Sequence, residues 1–307
     1  MELDIIIFGS IEQGLIFGIM AIGVYLTFRI LNYPDLTVDG SFALGGAVAA
    51  SLITGGGNPW ISTLLSLLAG GAAGAITGIL HTKGRINGLL AGILTMIALY
   101  SINLRVMGKA NVPLLNADTI TSQLTENPVA QSLGSVQKGI LTLAFLLIVL
   151  LIKWGMDWFL HTDLGMAVRA TGDNPAMIRS LGVNTDHTIM IGLILSNALV
   201  GLAGGMMAQY QGYADAQMGV GMIIIGLASV IIGEVVFGSR SIYRATIAVV
   251  GGAILYRFVI AAALWLGLKP TDMKLVTAIL VVLALTLPRY LGVLQKNGRA
   301  LTKGGNG

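Results

Sequence analysis

The feature that most constrains this chain is a series of nine apolar runs, each about as long as a membrane-crossing helix. A helix needs roughly 20 apolar residues to cross ~30 Å of hydrocarbon. The runs cover residues 8–29, 36–54, 60–82, 86–107, 138–159, 188–209, 218–237, 243–266 and 273–291. They predict an all-α, polytopic integral membrane protein with about nine spans, within a range of roughly eight to ten. The second and seventh runs are short and glycine-rich, and are the weakest of the nine.

The composition excludes most soluble classes of protein. Of the 307 residues, 55% are hydrophobic and only 10% are charged, whereas a soluble domain carries roughly 25% charged residues. So few charges cannot cover a water-soluble surface, which argues against a soluble enzyme, a nucleic-acid binder and a disordered protein. The net charge of +4 does not indicate nucleic acid, because excess Lys and Arg in a membrane protein mark cytoplasmic loops.

The hydrophilic gaps are too short to hold a second domain. The two long ones are 108–137 and 160–187, so we expect residues 1–307 to form a single membrane domain surrounded by lipid. The first ten residues carry two acids and no base. A secretory signal needs a positive segment there, so the first apolar run is expected to be a retained helix.

The distribution of Lys and Arg predicts the orientation. With a cytoplasmic C-terminus, alternation of nine spans places 12 of the 18 basic residues inside and five outside, and Arg257 falls within a span. This bias follows the positive-inside rule. It places the N-terminus and loop 108–137 outside, and loop 160–187 inside.

Two short matches indicate an internal repeat. Tyr33-Pro34-Asp35 precedes the second run and Tyr213-Ala214-Asp215 precedes the seventh, while Gly70-Gly71 parallels Gly251-Gly252. The offset is about 180 residues in both cases. Because the second and seventh runs cross in opposite directions, the halves would be inverted, as in many transporters. Chance matches in a glycine-rich chain remain the alternative.

Segment 29–46 has the composition of a broken helix. Asp35 and Asp39 lie four residues apart, close to Pro34 and several glycines, and Ser41 follows them. Acidic residues at membrane depth tend to face a cavity or the bundle interior, and broken helices are tolerated where they line protein or water. Asp35, Asp39 and Ser41 are therefore candidates for a substrate pathway or gate. The alternative is a turn with Asp at a helix N-terminus.

Loop 160–187 contains its own helix signals. Asp173-Asn174-Pro175 is typical of a helix start, Gly182 is typical of a helix end, and Ala176, Met177, Ile178 and Leu181 between them form a short amphipathic patch. A short cytoplasmic helix between two spans is well placed to dock on a soluble partner. The alternative is an ordinary connecting loop.

Arg257 is the basic residue deep within a predicted span. Counting about 1.5 Å per helical residue, it lies about 21 Å from the inner face and Glu234 about 6 Å, so the two are not expected to pair. Arg257 either contacts substrate or makes structural hydrogen bonds.

Motifs for catalysis are absent from the sequence. There is no cysteine, no GxxxxGK[ST] phosphate loop, no GxSxG elbow and no HExxH zinc motif. We therefore expect no enzymatic activity, no metal and no cofactor bound by this chain. An intramembrane enzyme would have Asp35 and Asp39 as its only candidate groups.

Segment 162–209 has the spacing GxAxRAxxxNxxxAxxxGI at Gly165, Ala167, Arg169, Ala170, Asn174 and Gly182, with Val183 in place of Ile. With this element it resembles the membrane permeases of the branched-chain amino acid family of ABC importers. ALVGLAGG (198–205) and KPTDMKLVTAILVVLALTLP (269–288) also resemble this family and its sugar and nucleoside relatives. Segment 32–40, NYPDLTVDG, echoes both the amino acid branch and the sugar branch. It is most similar to a subgroup for amino acids that include aromatic ones.

The resemblance implies a permease subunit of an ATP-driven importer in the inner or plasma membrane of a bacterial cell. Its partners would be ATP-binding ABC subunits that carry ATP and Mg, an extracytoplasmic binding protein that delivers substrate, and a second permease copy or a paralogue. A sugar or nucleoside importer and a stand-alone secondary transporter are the alternatives. The ATPase-coupling residues would be Arg169, Gly172, Asp173, Asn174, Ala176, Met177, Ile178, Leu181 and Gly182.

Overall fold

The computed structural model describes residues 2–115, 117–125, 137–269, 272–273, 275–284 and 286. Part of the predicted outer loop (126–136), the end of the ninth run (287–291) and the basic residues after it lie outside the described residues.

The described chain forms twelve α-helices and two short strands. Their order is α1 Glu2–Val24, which continues as a π-helical turn Tyr25–Ile30, then α2 Thr37–Thr54, α3 Pro59–Thr82, α4 Gly88–Met107, β1 Asn111–Pro113, α5 Ile120–Thr125, α6 Gln137–His161, α7 Asp163–Asp173, α8 Pro175–Ser180, α9 Thr185–Gln211, β2 Tyr213–Asp215, α10 Met222–Phe237, α11 Ile242–Trp265 and α12 Leu275–Ala284.

The predicted runs coincide with helices. Seven described helices are long and apolar enough to cross a membrane, and α10 and α12 are two shorter apolar helices. Together they account for the nine predicted runs and confirm an all-α membrane protein. The seventh run is helical only from Met222, because residues 216–221 form a turn before it.

Helix α9 occupies the centre of the bundle and packs on α1, α2 and α3. Its contact with α3 is close because glycines lie on both sides. Gly70 and Gly74 of α3 face the α9 backbone at Asn197 and Leu193, where an added Cβ would overlap main-chain atoms. Small residues therefore allow the two backbones to approach, as is common between membrane helices.

The two halves of the chain share a contact between helices at equivalent positions. Gly46 of α2 faces Gly204 of α9, and Gly226 of α10 faces Val24 of α1. At the predicted offset of 180 positions, Gly46 corresponds to Gly226, and Val24 corresponds to Gly204. This relation pairs α1 with α9, α2 with α10 and α3 with α11.

The equivalent helices α1 and α9 run antiparallel. The Ser196 hydroxyl donates to the Gly23 carbonyl (2.7 Å), while the Tyr210 hydroxyl, further along α9, donates to Glu12 (3.1 Å), which lies earlier in α1. Antiparallel equivalent helices are the arrangement that an inverted repeat requires. The repeat predicted from two short matches is thus present in the packing.

A small antiparallel sheet, which the sequence did not predict, joins the ends of α4 and α9. Asn111, Val112 and Pro113 pair with Asp215, Ala214 and Tyr213, respectively. The ladder is extended by hydrogen bonds from Leu114 N–H to Gly212 O (2.7 Å) and from Ala216 N–H to Ala110 O (2.9 Å). Strands of three residues are too short to show a two-residue hydrophobic period.

Candidate functional site

The chain between α1 and α2 is irregular, as expected for segment 29–46. Helix α1 loosens into the π-helical turn, Asn32 adopts a left-handed backbone (φ 53°), and residues 31–36 are not helical. Pro34 cannot donate a backbone hydrogen bond, so it suits a segment outside the helix ladder. The break places Asp35 just before α2, where its Oδ1 accepts from the Thr37 N–H (2.9 Å).

Asp35 belongs to a buried polar network centred on Asn197 of α9. The carboxyl of Asp35 is 2% exposed, and its Oδ2 accepts from Asn197 Nδ2 (2.6 Å). Asn197 Oδ1 accepts from the Ser41 hydroxyl (2.7 Å), and the hydroxyls of Thr37 and Thr77 share a hydrogen bond (2.7 Å). Burial raises the pKa of Asp35, and the hydrogen bonds from Thr37 and Asn197 oppose that shift. The network fixes α2 and α9 at the break.

Asp39 lies in the first turn of α2, four residues after Asp35, and its side chain caps α10. Its Oδ2 accepts from the Gly221 N–H and its Oδ1 from the Ile223 N–H, both at 2.8 Å. Gly221 is the N-cap residue of α10 and has no side chain to offer. The carboxylate of Asp39 therefore satisfies the first N–H groups of α10, where the helix dipole favours negative charge.

A cavity of about 280 Å³ adjoins Asp39. Its wall includes Tyr100 and Asn103 of α4, together with Gln217 and Val220 of the turn before α10. Asn103 Oδ1 is buried and has no hydrogen-bond partner among the described residues. An unpaired buried acceptor is costly, and here it belongs to a residue in the cavity wall.

Arg257 of α11 lies in a second cavity, of about 480 Å³, which shares Val220 with the first. Its guanidinium carbon is 5.4 Å from the centroid of the Phe17 ring, a cation–π contact. Glu234 pairs instead with Arg29 (Nε to Oε1, 2.9 Å). The expectation that Arg257 and Glu234 do not pair is therefore correct.

The four pathway candidates thus fall into three places. Asp35 and Ser41 are joined inside the buried network, Asp39 lines the smaller cavity, and Arg257 lines the larger one. The sequence did not predict Asn197 and Asn103. The signal for both was available, because each is an amide side chain within an apolar run.

Segment 160–187 is mostly helical. Helix α7, which the sequence did not predict, packs closely on the break after α1, since a Cβ on Gly172 would overlap the Ile30 carbonyl. Arg169 of α7 and Arg29 line a surface groove of about 900 Å³, and the exposed Asp173 lies at its rim. The expected short helix is α8, which begins with Pro175 and has Asn174 as its N-cap (Met177 N–H to Oδ1, 3.0 Å).

Helix α8 presents an exposed apolar surface, but one of the four expected residues points inward. Met177 is 57% exposed and Leu181 66% exposed, and Ala176 is also exposed. Ile178 is only 8% exposed, so it anchors the helix and does not contribute to its outer face. Gly182 follows with φ 86°, the left-handed conformation of a helix C-terminus. Arg179 Nε donates to Thr185 Oγ1 (2.7 Å), which fastens α8 to the start of α9.

Comparison with known proteins shows the family of this chain. Residues 6–286 match the family described as branched-chain amino acid transport system, permease component. The chain belongs to this family of transport permeases. A match over so much of the chain includes both halves of the repeat and the α7–α8 segment. The resemblance noted in the sequence is confirmed.

Three relatives show the breadth of the family. The permease is 42% identical over 276 residues to a tyrosine transport system permease protein of Clostridioides difficile, covering 90% of this chain and 89% of the relative. It is 29% identical to a probable branched-chain amino acid transport permease of Methanocaldococcus jannaschii over 73% and 72% of the two chains. It is 27% identical to a ribose import permease of Escherichia coli over 91% and 84%. No solved structure matches the permease.

Proposed function

We propose that the permease is the transmembrane subunit of an ATP-driven ABC importer that moves amino acids, branched-chain or aromatic, into a bacterial cell. The observation that carries this proposal is the 42% identity, across nine-tenths of both chains, to a permease named for tyrosine transport. Aromatic amino acids such as tyrosine are therefore the first substrates to test.

The other components of the transporter would supply the functions for which this chain has no motif. Two ATP-binding subunits would bind and hydrolyse ATP with Mg, and an extracytoplasmic binding protein would deliver substrate to the outer loops. A second permease copy, or a paralogue, would complete the pathway. In this scheme the permease is not an enzyme and binds no cofactor of its own.

Coupling to the ATPase would take place at α7 and α8. The exposed Met177 and Leu181 form an apolar docking surface, with Ala176 beside them. The Arg179–Thr185 hydrogen bond connects α8 to α9, and α9 carries Asn197 of the buried network. A movement imposed on α8 would therefore reach Asp35 and α2 through hydrogen-bonded and packed groups. Arg169, Gly172, Asp173, Asn174 and Gly182 would hold this unit in shape.

The gate would be the turn 216–221, held by Asp39. This turn separates the two cavities, both of which include Val220. Release of the Gly221 and Ile223 N–H groups from Asp39 would free the start of α10 to move. In this proposal the N-terminus is outside, the C-terminus is cytoplasmic, and the protein lies in the inner or plasma membrane.

Import of a sugar is the second candidate, because a ribose import permease is 27% identical over 91% of this chain. An uptake assay separates the candidates. Cells expressing the permease with its binding protein and ATPase are given labelled tyrosine, leucine or ribose. We expect accumulation of an amino acid that disappears when the ATPase is inactivated. Accumulation of ribose alone would favour the sugar importer, and uptake that persists without the ATPase would indicate a secondary transporter.

A further inference from the structure

The larger cavity contains a buried cation in a wall whose other described residues are uncharged and mostly apolar. The two hydroxyl groups in this wall, those of Tyr256 and Thr277, are hydrogen-bonded to each other (2.7 Å). Among the described residues that line it, Arg257 is the only charged one. Its Nε is buried and has no hydrogen-bond partner among the described residues. The contact with Phe17 stabilises the cation only in part, and an unpaired charge within a membrane protein is costly.

Three acids on the neighbouring helices α1, α2 and α10 have other partners. Glu12 of α1 accepts from the hydroxyls of Thr142 (2.8 Å) and Tyr210 (3.1 Å). Asp39 caps α10, and Glu234 pairs with Arg29. These carboxylates are therefore committed, and the guanidinium is left to face the cavity.

Arg257 lies within the span of α11, about 22 Å from the start of the helix and about 12 Å from its end, at about 1.5 Å per residue. The broken helix start at Gly221 lies in the same cavity wall. Transporters commonly bind substrate near the middle of the membrane, beside discontinuous helices at the interface of their repeats.

The chemistry of the wall specifies the ligand. Arginine presents a planar set of donors that matches a carboxylate. Most of the remaining lining is apolar or aromatic, with Phe17, Ile225, Ile260 and Leu264, and the flexible side chains of Met222 and Met273 adapt to different shapes. A volume of about 480 Å³ is within the range of small-molecule sites.

We propose that this cavity is a substrate-binding site in which Arg257 binds the carboxylate of an amino acid and the apolar wall receives its aromatic or aliphatic side chain. The inference rests on the proposed amino acid import and names the chemical group that the site recognises. A neutral sugar offers hydroxyl acceptors but no carboxylate to form an ion pair with the cation, so the site favours the amino acid of the two candidate substrates.

The test is direct ligand binding to the purified full-length permease. Binding is measured as a rise in the temperature of thermal unfolding and as a change in tryptophan fluorescence. The probes are tyrosine, 3-(4-hydroxyphenyl)propionate, which keeps the carboxylate without the amine, and tyramine, which keeps the amine without the carboxylate. We expect the two carboxylates to bind and tyramine to bind at least about tenfold more weakly, the scale of one charged hydrogen bond. Equal binding of tyramine would overturn the proposal.

Variants separate the role of Arg257 from a general effect on folding. Arg257→Gln should lose carboxylate binding and Arg257→Lys should weaken it, while Arg244→Gln, an exposed arginine on the same helix, should bind as the wild type does. Ala278→Phe, which keeps Arg257 and fills the cavity from its rim, should also weaken binding and serves if Arg257→Gln does not fold. Wild-type affinity in both Arg257→Gln and Ala278→Phe would overturn the proposal.

Three further outcomes distinguish the sources of failure. If phosphatidylglycerol stabilises the permease through Arg257 and the carboxylates do not, the cavity is a lipid site and the proposal is wrong. If cells take up tyrosine but Arg257→Gln transports it with unchanged KM, the inference fails while the import function stands. If cells take up only ribose, the import proposal itself fails.

Discussion

The backbone carbonyl of Asp39 packs against Gly219 so closely that a Cβ on Gly219 would overlap it. The two residues are 180 positions apart, so they are equivalent in the inverted repeat and meet where its two halves cross. The side chain of the same Asp39 caps α10. The first turn of α2 and the turn before α10 are thus joined at one residue.

Replacing Asp39 by Asn should impair uptake more than expression. Asn is a good cap for its own helix, but here each carboxylate oxygen accepts one N–H, and the amide Nδ2 of Asn cannot accept. One hydrogen bond to a charged group is lost, about 1.5–3 kcal/mol. Labelled uptake and membrane levels measure the two effects. Asp186→Asn, at an exposed site on α9, is the control, and wild-type uptake by Asp39→Asn would argue against a gate.

Replacing Gly219 by Ala should destabilise the fold or shift the turn, since the added methyl group has no space beside the Asp39 carbonyl. Overpacking of this kind costs about 1–3 kcal/mol. Thermal unfolding in detergent provides the measurement. The matched control is Gly155→Ala on α6, where nothing lies within 4 Å of the added atom. A change at Gly155 as large as that at Gly219 would contradict the prediction.

Asn197→Leu should destabilise the protein because it leaves the Asp35 carboxyl and the Ser41 hydroxyl without their shared partner. An unsatisfied buried polar group costs about 1–3 kcal/mol. Asp35→Asn, which lowers the charge to be buried, should recover part of this loss in the double variant. Thermal unfolding of both single variants and the double variant measures the coupling, and strictly additive effects would show that the network is not a unit.

Met177→Asp should uncouple ATP hydrolysis from uptake and leave the permease folded, because Met177 is on the exposed face of α8. Ile178→Asp should instead lower stability and membrane levels, since its side chain is buried and an unpaired buried charge is costly. Ser180→Asp adds the same charge on the same helix and is the control. Normal uptake by Met177→Asp would rule out docking through this surface.

The orientation can be tested with single cysteines, since the chain has none of its own. Leu115→Cys, 86% exposed in the loop after β1, should react with an impermeant reagent in intact cells. His187→Cys, exposed near the start of α9, should react only after permeabilisation. The opposite pattern would reverse the orientation, and labelling of both from one side would change the number of spans between them.

Local features of the sequence predicted most of the helices in the fold. Apolar runs predicted the helices because a membrane span requires a certain length, and Asn174-Pro175 and Gly182 bounded α8 because caps are local. The direction in which Ile178 points was not predictable, because so short a helix has too few positions to define its buried face. Helix α7 was missed because its mixed polarity and 11 residues resemble a loop between spans.

Features of the site that depend on distant contacts could not be predicted. The partners of Asp39 are 182 and 184 residues away, and the partner of Asp35 is 162 residues away. The sequence therefore left open whether these acids cap or gate, and Asp39 is found to cap a helix in the other half. Arg257 stood out from the sequence alone, because a charge within an apolar run is visible without knowing what surrounds it.

The two-stranded sheet has a mechanical consequence. The chain runs from β2 into the turn 216–221, and β2 is hydrogen-bonded to the loop that leaves α4. The β1–β2 ladder therefore ties the loop after α4, through only a few residues of main chain, to Val220, which lines both cavities.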